Sequence, residues 1–355
     1  MRAMLDFYKN KRVFVTGHTG FKGAWLCYAL HMAGAEVTGF ALPPREPGLF
    51  QIAALGPRME SVYGDICDYD ALWSAFRRAQ PELVFHLAAQ PIVRESYRDP
   101  VATYQTNVMG TVHILECVRR SGCVQSFLNV TTDKVYENRQ WLWGYRENDR
   151  LGGFDPYANS KSCSELVTGS YRNSFFSDGG VSISTARAGN VIGGGDFAAD
   201  RIIPDCIRAA QAGEVIQLRN PFSVRPYQHV LEPLSAYLLI VQRQYQDREL
   251  SGSYNVGPKE ADCLTTGQLA DIFCRAWGDG LRWEHVGGDG PHEDQILKLD
   301  STKIASLLGW RPRWDVRQAV EATVDWTRTW MAGGDAAACM ERQIQAFFST
   351  APTVR

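Results

Sequence analysis

Apolar and polar residues follow one another in blocks along the first half of the chain. Short apolar runs predict buried strands of a parallel sheet at residues 12–16, 36–42, 61–66, 83–89, 126–132 and 181–192. Segments with helical periodicity lie between them, at residues 24–33, 71–79, 104–120 and 157–175. This regular alternation is typical of an α/β fold with a Rossmann-type, doubly wound parallel sheet.

The alternation becomes irregular after the glycine run at residues 193–195. Prolines and arginines then occupy loops, and helices are predicted at residues 234–245, 266–277, 302–308 and 316–331. We therefore expect a nucleotide-binding domain at residues 1–190 and a smaller α+β substrate-binding domain at residues 191–355. The connection at residues 138–153 is too long for a simple link, so we interpret it as a lid or substrate loop.

Composition and charge narrow the class of protein. The 355 residues are 45% hydrophobic and 21% charged, as in a soluble globular protein, and the net charge of −2 suggests no nucleic-acid partner. No apolar stretch is long enough for a membrane span, and the first residues do not resemble a signal peptide. We expect a cytoplasmic protein that does not bind membranes.

The metal-binding residue types are scattered. Nine cysteines occur without a Cys-x-x-Cys pair, and seven histidines lack the spacing of a zinc site. This pattern is typical of reduced thiols, and we expect no metal site.

A glycine-rich turn joins the first predicted strand to the first predicted helix, with the spacing Gly17-x-x-Gly20-x-x-Gly23. Gly17 permits a tight turn, Gly20 lets the backbone approach a pyrophosphate, and Gly23 lets helix and strand pack closely. The helix N-terminus offers free N–H groups to the phosphates. This context predicts a dinucleotide site, which also includes Thr19, Phe21 and Lys22.

Other strand ends add candidate cofactor contacts. Asp65 and Ile66, at the end of the third strand, are candidates to bracket an adenine ring, and the small residues at the end of the fourth strand let a ligand lie against the backbone. The latter are Leu87, Ala88 and Ala89.

The second strand leaves the choice between NAD and NADP open. A carboxylate at its end would bind the adenosine ribose, but the chain continues as Leu42-Pro43-Pro44-Arg45. Arg45 either meets a 2′-phosphate, which would favour NADP, or is a solvated loop residue.

Two charged pairs are the strongest candidates for chemistry. Thr132, Asp133 and Lys134 follow a buried strand, at the edge where ligands bind in open α/β sheets. Tyr157 and Lys161 share one face of the next helix, because they are four residues apart. A cation beside a phenol lowers the pKa of the phenol, which would make Tyr157 a base near neutral pH.

These motifs together resemble the extended short-chain dehydrogenase/reductase family. The resemblance rests on the glycine turn, Thr132, Tyr157-x-x-x-Lys161, the segment 187–191 and the segment 225–230, and it covers nearly the whole chain. The segments GHTGFKG, TTDKVYEN, DPYANSKSCSEL and RAGNVIGGGD are similar to the nucleotide-sugar 4,6-dehydratases of that family.

The resemblance implies an intramolecular oxidation, dehydration and reduction of CDP-glucose with NAD, in deoxysugar synthesis for surface polysaccharide such as lipopolysaccharide. It assigns Tyr157, with Lys161, to the proton of the C4 hydroxyl, Thr132 to the same oxygen, and Asp133 to the departing C6 hydroxyl. Lys134 acts either as a neutral base at C5 or as a fixed charge that stabilises the enolate. The family also implies a homodimer or homotetramer, paired through the helices at 104–120 and 157–175.

Candidate substrate contacts are distributed over both predicted domains. Arg225 is the first choice for the diphosphate, because a guanidinium binds phosphate in a bidentate fork. The other candidates are Asn190, Arg201, Arg219, Tyr227 and His292 and, from the resemblance, Ser96 and Tyr145.

Other readings of the same motifs are weaker. A nucleotide-sugar 4-epimerase needs Tyr157, Lys161 and Thr132 but no elimination pair, so Asp133 and Lys134 argue against it. A UDP-N-acetylhexosamine 4,6-dehydratase shares the Asp-Lys pair, but those enzymes commonly lack the tyrosine. The intact acid/base set also argues against a protein that binds NAD without turnover.

Overall fold

The computed structural model describes residues 2–287 and 295–350. Its strands are β1 Arg12–Thr16, β2 Glu36–Ala41, β3 Glu60–Tyr63, β4 Leu83–His86, β5 Ser126–Val130, β6 Ser182–Ala188, β7 Val191–Ile192, β8 Ile216–Leu218, β9 Val224–Pro226, β10 Gln228–His229, β11 Ser253–Val256, β12 Cys263–Thr265 and β13 Trp283–His285. Its α-helices are α1 Arg2–Asp6, α2 Phe21–Met32, α3 Leu49–Ile52, α4 Tyr69–Ala79, α5 Val93–Arg98, α6 Pro100–Tyr104, α7 Gly110–Ser121, α8 Pro156–Phe175, α9 Ile202–Ala212, α10 Leu231–Gln246, α11 Thr266–Trp277, α12 Thr302–Leu308, α13 Val316–Met331 and α14 Ala336–Ser349.

A seven-stranded parallel sheet forms the centre of the molecule, in the order β11-β6-β5-β4-β1-β2-β3. Its central strands are buried on both faces, which explains why they read as apolar runs rather than as alternating patterns. One face packs against a core that includes Trp25 and Tyr237, and the other against a core that includes Phe76 and Ile114. The predicted Rossmann-type fold is confirmed.

Several predicted elements end earlier than their apolar runs. The predicted strand at 181–192 is two strands, because the chain leaves the sheet at Gly189 and Asn190 before β7 pairs with β10. The predicted helix at 104–120 is interrupted by a π-helical turn at Gln105–Met109. There the side chain of Asn107 accepts from Gln90 N at 2.8 Å and donates to Ser160 Oγ at 2.8 Å. The spacing of apolar residues, from which a continuous helix was predicted, does not indicate polar contacts of this kind.

The chain returns to the sheet after residue 190. β11 pairs with β6, with Ser253 opposite Thr185, and α10 packs against β5 and β6. The expected boundary at residue 190 therefore does not coincide with the end of the sheet. A separate core that includes Ile203, Phe273 and Val320 joins α9, α11 and α13 beside it.

Within residues 2–287 and 295–350, no helix has both the length and the apolar character needed to cross a bilayer. All nine cysteines are present as free thiols.

Candidate active site

A cavity of about 390 Å³ opens at the carboxyl edge of the sheet. Its wall is formed by the start of α2, the end of β5, the start of α8 and the loops between residues 189 and 227. A second recess, of about 460 Å³, lies at the amino ends of β1 and β2 and contains none of the candidate catalytic residues. The first cavity is therefore the candidate active site.

The glycine turn has the shape of a phosphate cradle. Gly17 has a φ of +77°, and a Cβ there would lie 2.7 Å from Ala88 N. A Cβ on Gly23 would lie 2.1 Å from the carbonyl oxygen of Gly17, so α2 touches the turn directly. Gly20 caps α2 without a side-chain hydrogen bond, and a Cβ there would meet only one atom, at 3.4 Å. The N-terminus of α2 thus has no side-chain cap, which leaves its first N–H groups available to a dinucleotide pyrophosphate.

The adenosine side of the turn carries no carboxylate. Leu42 follows β2 and is 58% exposed, and its carbonyl accepts from Thr19 Oγ1 at 3.0 Å. Arg45 is exposed and forms no hydrogen bond or ion pair within the described ranges. Asp65 accepts from Cys67 N at 2.9 Å, and Ile66 is buried against Gly110.

His18 is a residue of this region that we did not single out from the sequence. Its ring is buried, packs over Gly39 and bonds Ser61 Oγ at 2.6 Å. Burial lowers the pKa of His18 to about 4, so the ring is neutral at physiological pH. In the sequence, a histidine directly after the first glycine of the motif does not by itself indicate a functional residue.

The end of β4 is fixed to β1. Thr16 Oγ1 accepts from Leu87 N at 3.1 Å and from Ala88 N at 3.2 Å, which holds residues 87–89 beside the glycine turn. The turn and the end of β4 therefore form one continuous surface for a cofactor.

Thr132, Asp133 and Lys134 lie where β5 ends, on the wall of the cavity. Thr132 caps a short 3₁₀ turn, and its hydroxyl donates to Asp133 Oδ1 at 3.0 Å. The other oxygen of Asp133, Oδ2, is buried and has no hydrogen-bond partner in the described part of the chain. An unpartnered carboxylate oxygen is costly unless a ligand binds it.

Tyr157 and Lys161 lie on the first turns of α8. Asp155 caps this helix by accepting from Ala158 N at 2.8 Å, and Pro156 occupies its first turn. The hydroxyl of Thr132 lies close to that of Tyr157 and lowers its pKa. Lys161 Nζ donates to the carbonyl of Val130 at 3.2 Å, so the lysine joins α8 to the end of β5.

Burial dominates the protonation of the two residues on α8. It raises the pKa of Tyr157 to about 12, although the nearby hydroxyl of Thr132 and the nearby charge of Arg201 both lower it. Burial, with the nearby charge of Lys22, also lowers the pKa of Lys161 to about 8. The net direction for Tyr157 is opposite to the lowering expected from the sequence, because in this structure the loss of water outweighs the neighbouring cations.

Lys22 is a second lysine of the site. It lies within the glycine motif, directly before Gly23, and lines the same cavity as Tyr157. Its pKa is lowered to about 8 by burial and by the charge of Arg201, whereas Asp133 and Asp196 raise it. Cofactor and catalytic residues therefore belong to one electrostatic cluster.

Five of the predicted substrate contacts line the cavity. They are Asn190, Arg201, Arg219, Arg225 and Tyr227. Each of the three arginines already contacts the protein: Arg201 pairs with Asp196 at 2.8 Å, Arg219 with Asp200 at 3.8 Å, and Arg225 donates to the carbonyl of Val224 at 3.0 Å. Tyr227 Oη lies 3.1 Å from Thr266 Oγ1.

Ser96 and Tyr145, two other predicted contacts, do not line this cavity. Ser96 is buried and donates to the carbonyl of Val93 at 2.6 Å. Tyr145 is buried against Tyr136, and its hydroxyl donates to Asn138 Oδ1 at 2.9 Å. His292 lies outside the described residues.

The predicted lid is attached to the second half of the chain. Asn138 donates to the carbonyl of Ile296 at 3.0 Å, and Tyr145 N donates to that of Lys298 at 3.0 Å. Trp141 stacks on Tyr145 at 5.5 Å, whereas Trp143 is exposed. The loop is thus packed at its base rather than free.

Some residues of the wall were missed by sequence reasoning. Arg94 pairs with Asp200 at 3.0 Å, and Asp196 holds Arg201. Gly189 touches Asp133: a Cβ there would lie 2.2 Å from Asp133 Oδ2. Its position directly after a buried strand was the available signal.

Across residues 2–287 and 295–350, no group of three or more His, Cys, Asp or Glu side chains has an arrangement that could hold a metal ion.

Comparison with known proteins agrees with this geometry. Residues 14–323 match the model of the GDP-mannose 4,6 dehydratase family. The chain is 48% identical over 351 residues to CDP-glucose 4,6-dehydratase of Salmonella typhimurium, covering 97% of this chain and 98% of that protein.

Solved structures give the same answer for the fold. UDP-glucose 4-epimerase of Thermus thermophilus, in complex with NAD, superposes with a TM-score of 0.77 at 25% identity, covering 88% of this chain and 97% of that one. The dTDP-glucose 4,6-dehydratase of Bacillus anthracis gives a TM-score of 0.76 at 21% identity, covering 92% and 99%. The chain therefore belongs to the GDP-mannose 4,6 dehydratase family.

Proposed function

We propose that this protein is an NAD-dependent CDP-glucose 4,6-dehydratase, a hydro-lyase that forms CDP-4-keto-6-deoxyglucose. The observation that carries the proposal is the convergence of Tyr157, Thr132 and Asp133 on one cavity, with Asp133 Oδ2 unpartnered among the described residues. The 48% identity to a CDP-glucose 4,6-dehydratase supports the choice of sugar nucleotide. We expect the product to serve deoxysugar synthesis for a surface polysaccharide.

The residues of the glycine turn fit a dinucleotide. Gly20, which has no side chain, and the uncapped N-terminus of α2 would hold the pyrophosphate. Leu87, Ala88 and Ala89 would support the ring beside the catalytic residues. NAD supplies, when bound, the hydride acceptor for C4, the hydride donor for C6 and a positive charge that favours the phenolate of Tyr157.

Tyr157 and Thr132 act on the C4 hydroxyl of the sugar. Tyr157 accepts the proton of this hydroxyl, and Thr132, which lies close to the tyrosine hydroxyl, holds the same oxygen in place. Lys161 fixes the position of α8 against β5 and contributes its charge when protonated. The resulting C4 ketone makes the proton at C5 acidic.

Asp133 and Lys134 carry out the elimination. Asp133 Oδ2 gives its proton to the departing C6 hydroxyl, for which its free oxygen is available. Lys134 lines the same cavity, and we assign it to C5: as a neutral base it takes the C5 proton and returns it when hydride reaches C6, whereas as a fixed charge it stabilises the enolate while that proton passes to and from water. A 4-epimerase would have no use for this pair.

The arginines of the substrate side receive the diphosphate. Arg201, Arg219 and Arg225 line the same cavity as Tyr157, and a guanidinium binds phosphate in a bidentate fork, so we assign these arginines to the diphosphate. We assign α9, α11, α13 and their small sheets to the substrate-binding domain.

A labelling experiment tests the proposal. CDP-glucose that carries deuterium at C4 should give a 4-keto-6-deoxy product with the label at C6 of the same molecule. A 4-epimer without loss of water would support an epimerase instead. Loss of all label to the solvent, or no ketone, would sink the proposal. Asp133→Asn should slow dehydration more than oxidation, and equal loss of both steps would contradict its role.

We further propose that two copies pair through α7 and α8. The exposed apolar residues lie on α8 and on the segment that leads into α7, and Leu166 of α8 is 62% exposed. Val101, Met109 and Phe175 extend this surface. A four-helix contact between copies would bury it, and two such dimers would make a tetramer. The nine unpaired cysteines agree with a cytoplasmic location.

A further inference from the structure

We infer that Glu165 and Arg187 form a positioning pair, which holds the strand end that carries Thr132 and Asp133 in register with the helix that carries Tyr157. The inference rests on the function proposed above. Neither residue touches the cavity, and the two side chains are 2% and 4% exposed. Their nearest charged atoms are 2.9 Å apart.

The carboxylate of Glu165 accepts hydrogen bonds from three side chains. Oε1 accepts from Thr131 Oγ1 at 2.5 Å, and Oε2 accepts from Thr185 Oγ1 at 2.7 Å and from Arg187 at 2.9 Å. Thr131 immediately precedes Thr132, and its backbone N–H is bonded to the carbonyl of Ala186 at 2.9 Å. One carboxylate of α8 therefore fixes the ends of both β5 and β6.

Arg187 extends the connection to the lid and to β11. Its second terminal nitrogen donates to Tyr136 Oη at 2.8 Å and to the carbonyl of Glu147 at 3.0 Å. Tyr136 in turn donates to Asn255 Oδ1 at 2.6 Å. The base of the lid and the catalytic helix thus share one buried cation.

The same pair bears on both halves of the chemistry. Arg187 lies two residues before Gly189, against which the carboxylate of Asp133 rests. Glu165 lies one turn after Lys161 on α8. A buried ion pair is weak evidence for stability, because its desolvation offsets its attraction. The pair connects the segments that carry Asp133, Thr132 and Tyr157. We therefore assign it to the positioning of these residues rather than to stability.

The charge of Glu165 also acts on Lys161. Lys22, from α2, and burial lower the pKa of Lys161 to about 8, and Glu165 raises it against them. His86, from β4, also faces Lys161 and is neutral, since burial and that lysine lower its pKa to about 3. Without Glu165, Lys161 would lose its proton at a lower pH, and the alkaline limb of turnover would move with it.

Three variants separate positioning from folding. Glu165→Gln removes the charge, Glu165→Asp keeps the charge but shortens the side chain, and the double variant Glu165→Leu with Arg187→Met removes both charges with similar volume. Apolar replacement of a buried pair commonly preserves stability. Glu232→Gln is the matched control, because Glu232 is an equally buried carboxylate on α10 whose partners are the backbone of Arg313 and Trp314.

Turnover and its pH profile are measured for each folded variant. We expect kcat to fall about 100-fold in Glu165→Gln and in the double variant, with KM changed by less than about threefold, as for misplaced groups. The alkaline limb should move down by about one pH unit in both, and Glu165→Asp should restore its position. Wild-type turnover and an unmoved limb in the double variant would overturn the inference, as would losses that merely follow thermal stability.

Hydrogen exchange supplies a readout that needs no substrate. Amides of residues 131–135 and 145–151 should exchange faster in the double variant than in the wild type. In Glu232→Gln their exchange rates should be those of the wild type. Unchanged exchange at residues 131–135 in the double variant would also overturn the inference. If the wild-type protein forms no ketone, the proposed function fails, whereas this measurement still decides the role of the pair.

Discussion

Gly189→Ala probes how closely the elimination acid is held. Gly189 is a wall residue whose φ lies outside the left-handed region, so alanine is compatible with its backbone. The added Cβ would lie 2.2 Å from Asp133 Oδ2, 2.8 Å from Asp133 Cγ and 2.9 Å from Pro226 Cγ. Ordinary contacts begin at 3.4 Å. The carboxylate must therefore retreat by about 1 Å, or turn to another rotamer.

The size of the effect follows from that displacement. Asp133 is held by Thr132 at 3.0 Å on one oxygen, so a retreat breaks or bends this bond and moves the other oxygen away from C6. A misplacement of about 1 Å costs about 100-fold in rate. Tyr157 does not touch Gly189, so oxidation at C4 should change by less than about fivefold. Overpacking should lower the free energy of unfolding by about 1–3 kcal/mol.

A single-turnover assay separates the two steps. In Gly189→Ala the absorbance of reduced nicotinamide should rise and persist, because oxidation proceeds while loss of water is slow. The control is Gly56→Ala, at an exposed glycine where a Cβ would meet nothing within 4 Å, and it should match the wild type. Wild-type dehydration in Gly189→Ala, or equal loss of oxidation and dehydration, would refute the reasoning.

Four other outcomes are expected. Tyr157→Phe should slow oxidation by at least about 1000-fold without loss of folding, since it removes the proton acceptor; this is measured as formation of reduced nicotinamide. Turnover should decline as pH rises above about 8, where Lys161 loses its proton; a flat profile to pH 10 in stable protein would contradict this. Burial raises the pKa of Glu232 to about 7 in the folded protein. The contribution of Glu232 to the free energy of unfolding is therefore fully present below pH 4.5 and is lost as pH rises through 7. Relative to wild type, Glu232→Gln should therefore gain up to about 3 kcal/mol in the free energy of unfolding between pH 4.5 and pH 8, by denaturant titration. Leu166→Glu should reduce the mass in sedimentation to that of one chain, and an unchanged mass would exclude α8 from the contact.

The sheet could be predicted because its strands are buried on both faces. Parallel strands covered by helices need apolar residues at every position, so Leu83–His86 and Ser126–Val130 stand out as runs. The positions of Tyr157 and Lys161 followed from helical spacing alone. The order of strands then brought both to the edge at which β5 ends.

Contacts between distant segments could not be predicted in the same way. Nothing in a single sequence shows that Gly189 touches Asp133, or that Tyr145 is buried against Tyr136. Ser96 illustrates the difficulty, since its hydroxyl donates within its own helix and not to the cavity. Side-chain direction is set by tertiary packing, which local patterns do not record.

Protonation was the least accessible property of the site. From spacing alone, Lys161 should lower the pKa of Tyr157, yet burial raises it to about 12. The same burial lowers the pKa of Lys161 to about 8, so desolvation acts on both partners and disfavours the charged form of each.

Burial in the cavity therefore disfavours the phenolate of Tyr157 and the ammonium of Lys161, the ion pair that the proposed oxidation requires. Burial penalises phenolate and ammonium alike, the charge of Arg201 favours the phenolate, and the charge of Lys22 disfavours the ammonium. A further positive charge beside Tyr157 would lower the pKa of the phenol, whereas the negative charge of Glu165 keeps the ammonium from losing its proton. Activation of Tyr157 as a base would then depend on what binds in the cavity. Retention of the proton on Lys161 would depend on Glu165, which lies outside the cavity. If the proposed role of Glu165 is correct, one carboxylate outside the cavity acts on a reaction that it does not touch.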